Sequence, residues 1–172
     1  MTEAPKNSEG RLDLRNAKQA GFSLIELLIV VAIILIIAAI AIPNLLRSRI
    51  SAHEASAVNS IRTFTTANVT YYSICPEIGY PSTLADLGPG GGGCVGGANI
   101  TDPVLGVAAP TKAGYNFAYV PNNSTGLNNS YTLNAAPIAV GVSGQRYFYS
   151  DESGIIRYGL AGAATSASSA LQ

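Results

Sequence analysis

The clearest pattern along the chain is an apolar run from Phe22 to Ile42, in which Glu26 is the only charged side chain. Fifteen of these 21 residues are Leu, Ile, Val or Phe. A helix of this length spans roughly 30 Å, the thickness of one bilayer core. The apolar side chains contribute about −7 kcal/mol to insertion, against about +3 kcal/mol for the carboxylate. The pattern therefore predicts a transmembrane helix.

The helical pattern continues beyond this run. Pro43 predicts a kink, because proline has no N–H to donate and crowds the preceding turn. Downstream, a stripe at spacings of three, four and seven predicts an amphipathic helix. The stripe consists of Leu46, Ile50, Ala57, Ile61, Phe64, Asn68 and Tyr71. The charged residues assigned to its other faces are Arg47, Arg49, Glu54 and Arg62. The helix is predicted to end at Cys75, before Pro76.

The remainder of the chain is rich in turn residues. Gly88–Gly97 is nearly all glycine around Cys94, which predicts a loop that packs against nothing. The low-complexity segment Gly159–Gln172 is expected to fray unless another subunit covers it. Four alternating segments predict a small antiparallel sheet, with a turn at 151–154: Tyr115–Val120, Tyr131–Ala136, Arg146–Ser150 and Ile155–Tyr158. The predicted fold class is α+β, with the long N-terminal helix packed on this sheet.

Composition and charge exclude several classes of function. Ten basic and ten acidic side chains cancel, and no Lys/Arg cluster lies beyond the first 20 residues, so no nucleic-acid partner is inferred. One His and two Cys do not give the common zinc spacings or a CxxC motif. Gly88, Gly90 and Gly93 match GxGxxG, but no predicted strand and helix flank them. We therefore expect no metal, no cofactor and no catalytic residues.

The junction AGFSLIELLIV at residues 20–30, after a basic leader, resembles the N-terminus of type IV prepilins and the related pseudopilins. The resemblance covers roughly residues 18–49 and includes the proline at position 43. It implies that a prepilin peptidase cuts after Gly21 and methylates the new amine of Phe22. It also implies that Glu26 is the assembly carboxylate. The order of long helix, loop and small sheet extends the resemblance loosely to the whole chain, which implies a pilin fold.

The resemblance also implies a division of the chain and a location. Residues 1–21 would be a cleaved cytoplasmic leader, 22–75 the long helix, with 22–42 in the membrane or the filament core, and 76–172 a loop and globular β head. The precursor would be a single-pass protein of the bacterial inner membrane with a cytoplasmic N-terminus, in contact with lipid, the peptidase and the pilus assembly machinery. After polymerisation it would be a structural subunit of a cell-surface type IV pilus, not an enzyme.

Four alternatives remain open at the level of sequence. Glu26 can pair with the amine of a neighbouring subunit, or it can snorkel to the interface or be neutralised by its own chain's amine four residues away. The small residues Ala39 and Ala41 fit an ordinary signal peptidase, whose cut would release a domain that begins at Ile42. A pseudopilin of type II secretion is the second function, because Asp102-Pro103 faintly resembles a pseudopilin segment. A membrane-anchored domain that never polymerises is the third.

Three further sets of side chains are candidates for a disulfide or a metal site. Cys75 and Cys94 fit an oxidising compartment, where a bridge would close the glycine-rich loop and add about 3 kcal/mol of stability. Two free buried thiols are the alternative. This pairing departs from that of many pilins, in which the disulfide brackets the last strands. His53 has no second metal ligand in the sequence and is expected to be exposed or at the edge of the core, not catalytic. Asp151 and Glu152 are expected to form a hairpin turn rather than a calcium site.

Overall fold

A computed structural model describes residues 21–123, 126–160 and 162–171. The predicted leader therefore lies outside the described residues, except for Gly21. Helix α1 covers Leu24–Ile74, and a short 3₁₀ helix covers Leu84–Leu87. The strands are β1 Thr111–Lys112, β2 Tyr115–Asn123, β3 Asn128–Pro137, β4 Tyr147–Asp151, β5 Arg157–Gly159 and β6 Ser169–Ala170. The long helix and its end before Cys75-Pro76 are confirmed.

The chain divides into two compact units between Ile40 and Ala41, and α1 contributes to both. In the first unit, the large apolar side chains from Leu24 to Ile40 are 45% to 79% exposed. By length and composition α1 is able to cross a membrane, and none of its most apolar window is buried. A core helix of a soluble protein would be mostly buried. The exposure of this segment therefore fits the predicted apolar environment better than a packed core.

Pro43 lies inside α1, and the helix runs through it without interruption. Its ring nitrogen has no hydrogen to donate to the carbonyl of Ala39, so the ladder of the helix loses one bond there. The kink inferred at Pro43 from the sequence stays a prediction.

The second unit contains an antiparallel sheet in which each strand pairs with the next along the chain. The longest ladder joins β2 and β3, from Tyr115 opposite Pro137 to a register shift at Asn122 and Asn123. Along β3 the buried and less buried positions alternate, which places every second side chain on the core face. The predicted α+β fold is confirmed, and the four predicted strands lie within or next to β2 to β5.

The core lies between the amphipathic part of α1 and one face of the sheet. The rings of Phe64 and Phe117 have centroids 5.5 Å apart and mark this contact. The large buried side chains include Ile61, Phe64 and Tyr71 from the helix and Tyr115, Tyr131, Leu133 and Phe148 from the sheet. The predicted stripe is confirmed from Ala57 to Tyr71. The stripe is not buried at its N-terminal end, where Leu46 is 55% exposed. The cavity beside it is lined by a loop at 141–142 rather than by a strand.

The prediction that the glycine-rich loop packs against nothing is wrong. Gly88 is buried, and a Cβ on it would lie 2.2 Å from the carbonyl oxygen of Gly106. A Cβ on Gly90 would lie 1.9 Å from the oxygen of Gly96. The loop is closed by backbone hydrogen bonds such as that from Asn99 to Gly88 at 2.9 Å. Glycine is therefore required here because backbone packs directly on backbone.

The expected fraying of the C-terminal segment is also contradicted over the residues that the structure describes. Strand β6 pairs with β5, in the register Tyr158 opposite Ser169. The N–H of Leu171 donates to Ile156 at 2.7 Å, and the Arg157 guanidinium donates to the Ser168 carbonyl at 3.0 Å. The open edge of β5 supplies the backbone groups that hold this Gly-, Ala- and Ser-rich segment. The composition of the segment alone does not indicate this pairing.

Candidate assembly site

The start of α1 carries the residues on which the resemblance depends. The N–H of Leu27 donates to the carbonyl of Ser23 at 3.2 Å, which is the first bond of the helix. Apart from its chain neighbours, no described residue has an atom within 4 Å of the position that a Cβ on Gly21 would occupy. The described residues therefore do not require glycine at position 21.

Glu26 lies in the first turn of α1 and its side chain is exposed. A carboxylate at this end of a helix interacts favourably with the helix dipole by about 0.3 to 1 kcal/mol. Ser23 and Glu26 also have the spacing of a capping box. Among the residues that the structure describes, none forms an ion pair with Glu26. The carboxylate is therefore presented on the surface of the apolar segment.

Phe22 stands four residues before Glu26 and is 77% exposed. Phe22 precedes Leu24, the first residue of α1, so helical geometry does not fix its distance from Glu26. If the chain were cut after Gly21, the new amine would lie four residues before the carboxylate in the sequence. This separation is short enough for a pair within one chain, and the exposure of both residues is compatible with a pair between two chains.

Comparisons with known proteins match this N-terminal segment. Residues 16–42 match the model of the family described as the prokaryotic N-terminal methylation motif. The chain is 41% identical over 63 residues to the type IV major pilin protein PilA of Myxococcus xanthus, covering 37% of this chain and 29% of that protein. It is 63% identical over 41 residues to the type IV wide pilus major component PilA4 of Thermus thermophilus, covering 24% and 30%. The N-terminal segment of this chain is therefore similar to that of type IV pilins.

The similarity of the chain to these relatives is limited in extent. The chain spans less than a third of the length of these two relatives. No solved structure matches the chain significantly.

A buried carboxylate in the second unit joins α1 to the sheet. Glu54 is only 6% exposed, and its carboxylate accepts the backbone N–H groups of Gln145 at 2.8 Å and Arg146 at 3.1 Å. The Arg146 side chain donates from Nε to the same carboxylate at 2.7 Å. One side chain of the helix therefore holds both the backbone and the side chain of the segment that leads into β4.

Glu54 was assigned to a polar face of the helix, and this assignment is wrong. Its position is four residues after Ile50 and three before Ala57, so it continues the buried stripe. The spacing of seven between those two apolar residues was the signal in the sequence. Its charge favoured an exposed position, because an unpaired carboxylate is costly to bury. The sequence did not indicate the pairing, because the partner Arg146 is 92 residues away.

Aromatic side chains surround this ion pair. The Arg146 guanidinium lies 5.6 Å from the ring centroid of Phe148 and 5.7 Å from that of Tyr158. The Tyr115 hydroxyl donates to the Arg146 carbonyl at 2.8 Å. Burial raises the pKa of Tyr115 well above its ordinary value. This hydroxyl therefore remains a protonated donor throughout the physiological range of pH.

The predicted bridge between Cys75 and Cys94 is present, with the two Cα atoms 5.7 Å apart. Cys75 is 2% exposed and follows directly on the last residue of α1. The Tyr71 hydroxyl donates to the Cys94 carbonyl. The glycine-rich loop is thus fastened to the C-terminal end of the helix.

Replacing both cysteines with serine is expected to lower the free energy of unfolding by about 3 kcal/mol, because the 19-residue separation closes a loop in the unfolded chain. Chemical denaturation of the full chain in detergent measures the change. Reduced wild-type protein should unfold at the same denaturant concentration as the double variant. Equal stability of the oxidised and reduced proteins would contradict the expectation.

The remaining candidates are structural in this fold. His53 is half-buried, and its Nδ1 lies 3.2 Å from the Ser143 carbonyl, at the edge of the core as predicted. The Asp151 carboxylate accepts the N–H of Ser153 at 3.0 Å, which confirms the predicted hairpin turn. Within the described residues, no group of three His, Cys, Asp or Glu side chains could hold a metal ion.

Proposed function

We propose that this chain is the precursor of a structural subunit of a type IV pilus. The observation that carries the proposal is one carboxylate, Glu26, in the first turn of an exposed apolar helix that directly follows Gly21-Phe22. A carboxylate is costly in a membrane and is retained there for a function. Its natural partner is a cation at the same depth, which cleavage after Gly21 would create.

The proposed life of the chain has two stages. The precursor resides in the bacterial inner membrane with residues 22–42 in the bilayer and its leader, residues 1–21, in the cytoplasm. A prepilin peptidase then cuts after Gly21 and methylates Phe22, and the assembly machinery brings copies of the chain together. The relatives in Myxococcus xanthus and Thermus thermophilus, which are named as pilus components, support assembly into a homopolymer.

Assembly exchanges lipid contacts of the apolar helix for contacts with other helices. Because both environments are apolar, the exchange does not by itself fix how neighbouring helices align. A polar contact therefore has to set their register. A pair between Glu26 and the Phe22 amine of a neighbour is worth up to about 4 kcal/mol at 4 Å and an effective dielectric of 20, before desolvation is subtracted. The chain then acts as a peptidase substrate and a building block, with no catalytic step of its own.

Intact mass of the filament protein tests the processing step. We expect a mature chain that begins at N-methylated Phe22, and we expect Gly21→Val to accumulate the uncut precursor, since an added side chain obstructs the scissile bond. Gly91→Val is the matched control, because Gly91 also has open space for a Cβ and lies in an exposed loop. A mature chain that begins at Ile42 would instead indicate an ordinary signal peptide.

Filament imaging tests the assembly step and separates the two related functions. Surface filaments of the native cell should contain this protein as their major component. Filaments that lack it, together with a secretion defect when the chain is deleted, would favour the pseudopilin alternative.

A further inference from the structure

An apolar loop lies beside the part of α1 that directly follows the apolar segment. The loop at 138–142 has the sequence IAVGV, and Ile138, Val140 and Val142 are 56%, 58% and 71% exposed. The whole stretch from residue 113 to residue 145 contains no charged side chain. Three large exposed apolar side chains in one short uncharged loop are unfavourable in water and indicate a binding surface.

Two contacts hold the loop against the helix. Its C-terminal side is fixed by the carbonyl of Ser143, which lies 3.2 Å from His53 Nδ1, and by the bonds from residues 145 and 146 to Glu54. Its tip reaches further towards the N-terminal end of α1. Gly141 and Val142 line a cavity of about 200 Å³ together with Leu46, Arg49, Ile50 and His53.

The position of Leu46 gives the depth of the loop. Leu46 stands four residues after Ile42, the last residue of the apolar run, which corresponds to about 6 Å along the helix axis. The headgroup region of a bilayer extends about 5 to 8 Å beyond the hydrocarbon on each side. If the hydrocarbon boundary lies at Ile42, then Leu46 and the cavity that it shares with the tip of the loop lie at the level of the headgroups.

The backbone of the loop is suited to that environment. The N–H groups of Ile138, Gly141 and Val142 donate to the carbonyls of Gly114, Gly144 and Ala139 at 2.8 to 3.1 Å. The Ser143 hydroxyl and residue 139 exchange hydrogen bonds at 3.0 and 3.1 Å. A backbone group that is hydrogen-bonded within the protein does not lose its partner when the loop moves from water into a membrane interface. The loop can therefore present its apolar side chains to lipid at little polar cost.

A cation stands next to the loop on the same stretch of helix. Arg49 is exposed and lines the cavity with Val142, and Arg47 is exposed two residues earlier on the helix. An arginine near the membrane surface attracts anionic lipid headgroups. Apolar side chains at headgroup depth with arginine nearby are suited to binding the surface of an anionic bilayer.

We propose that the 138–142 loop is a second membrane contact of the precursor, which rests in the interface of an anionic bilayer and orients the head before assembly. This inference rests on the proposed function, because it requires residues 22–42 to be in the membrane. In the filament the same side chains are released from lipid.

The chain contains no tryptophan, so a single introduced Trp reports its own surroundings. The full chain is reconstituted in vesicles of phosphatidylethanolamine and phosphatidylglycerol, with and without brominated acyl chains. We expect Val142→Trp to lose most of its emission in brominated vesicles and to be shielded from acrylamide. Val140→Trp serves as a second reporter if the first variant does not fold.

Val95→Trp is the matched control. Val95 is 80% exposed in a loop fastened by Cys94 to Cys75, which lies about 40 Å further along α1 than Leu46. This variant should be quenched by acrylamide and unaffected by bromine. Acrylamide quenching of the Val142 reporter to the same degree would overturn the proposal.

Leu35→Trp separates failure of this inference from failure of the proposed function. Bromine should quench this reporter whenever the apolar helix is in the bilayer, whatever the loop does. If it is not quenched, membrane residence itself is wrong and the loop contact is wrong with it. If Leu35→Trp is quenched but Val142→Trp is shielded from both quenchers, a second copy of the chain covers the loop and the lipid assignment is wrong.

Discussion

Replacing Glu26 with Ala is expected to abolish filament assembly while membrane insertion and cleavage after Gly21 remain at least as efficient as in the wild type. The substitution removes a cost of about 3 kcal/mol for residence in the bilayer, so the precursor should insert readily. In the filament, however, the Phe22 amine would be buried without a partner, which costs several kcal/mol per subunit. Immunoblots of precursor and mature chain, with electron microscopy of the cell surface, measure the two steps separately.

Two further substitutions distinguish charge from shape at this position. Glu26→Gln keeps the length and the hydrogen-bonding oxygen but cannot neutralise a cation, so we expect it to fail in assembly like Ala. Glu26→Asp keeps the charge on a shorter side chain and should retain part of the assembly. Filaments of normal number and length from processed Glu26→Ala chains would show that Glu26 serves the membrane stage instead.

Replacing Glu54 with Ala is expected to lower the free energy of unfolding by about 1 to 3 kcal/mol, because the backbone N–H groups of Gln145 and Arg146 lose their acceptor. The Arg146 side chain is 36% exposed, so water solvates its charge once Glu54 is removed. Chemical denaturation of the full chain in detergent, followed by the circular dichroism of its tyrosines, measures the loss. Freed from Glu54, the segment before β4 should also become accessible to proteases.

The controls for this prediction are a second substitution of Glu54 and a substitution of an exposed glutamate. Glu54→Gln retains an oxygen for the two backbone donors, so we expect it to lose less than half as much stability. Glu77 is exposed just beyond α1, and Glu77→Ala should change stability by no more than about 0.5 kcal/mol. If Glu54→Ala and Glu77→Ala unfold alike, the buried ion pair does not stabilise the head.

The sequence allowed the helix and the four main strands to be predicted because their signals are local. Apolar content and the spacing of Ile61, Phe64 and Tyr71 depend only on neighbours along one helix. The short strands β1 and β6 were missed, since two residues give no alternation to detect. The close packing of Gly88 against Gly106 was missed for a related reason, because glycine itself does not indicate which backbone will approach it.

The candidate site divides in the same way. The junction at Gly21, Phe22 and Glu26 lies within six consecutive residues, and the sequence by itself determined the similarity to type IV pilins, the apolar helix and the position of the one carboxylate in residues 22–42. The tertiary structure alone decided that Glu54 is buried with Arg146, that the C-terminal segment completes the sheet, and that the 138–142 loop lies beside Leu46. These contacts join residues far apart in the chain, and their free energy depends on the backbone groups and side chains that folding brings to each position.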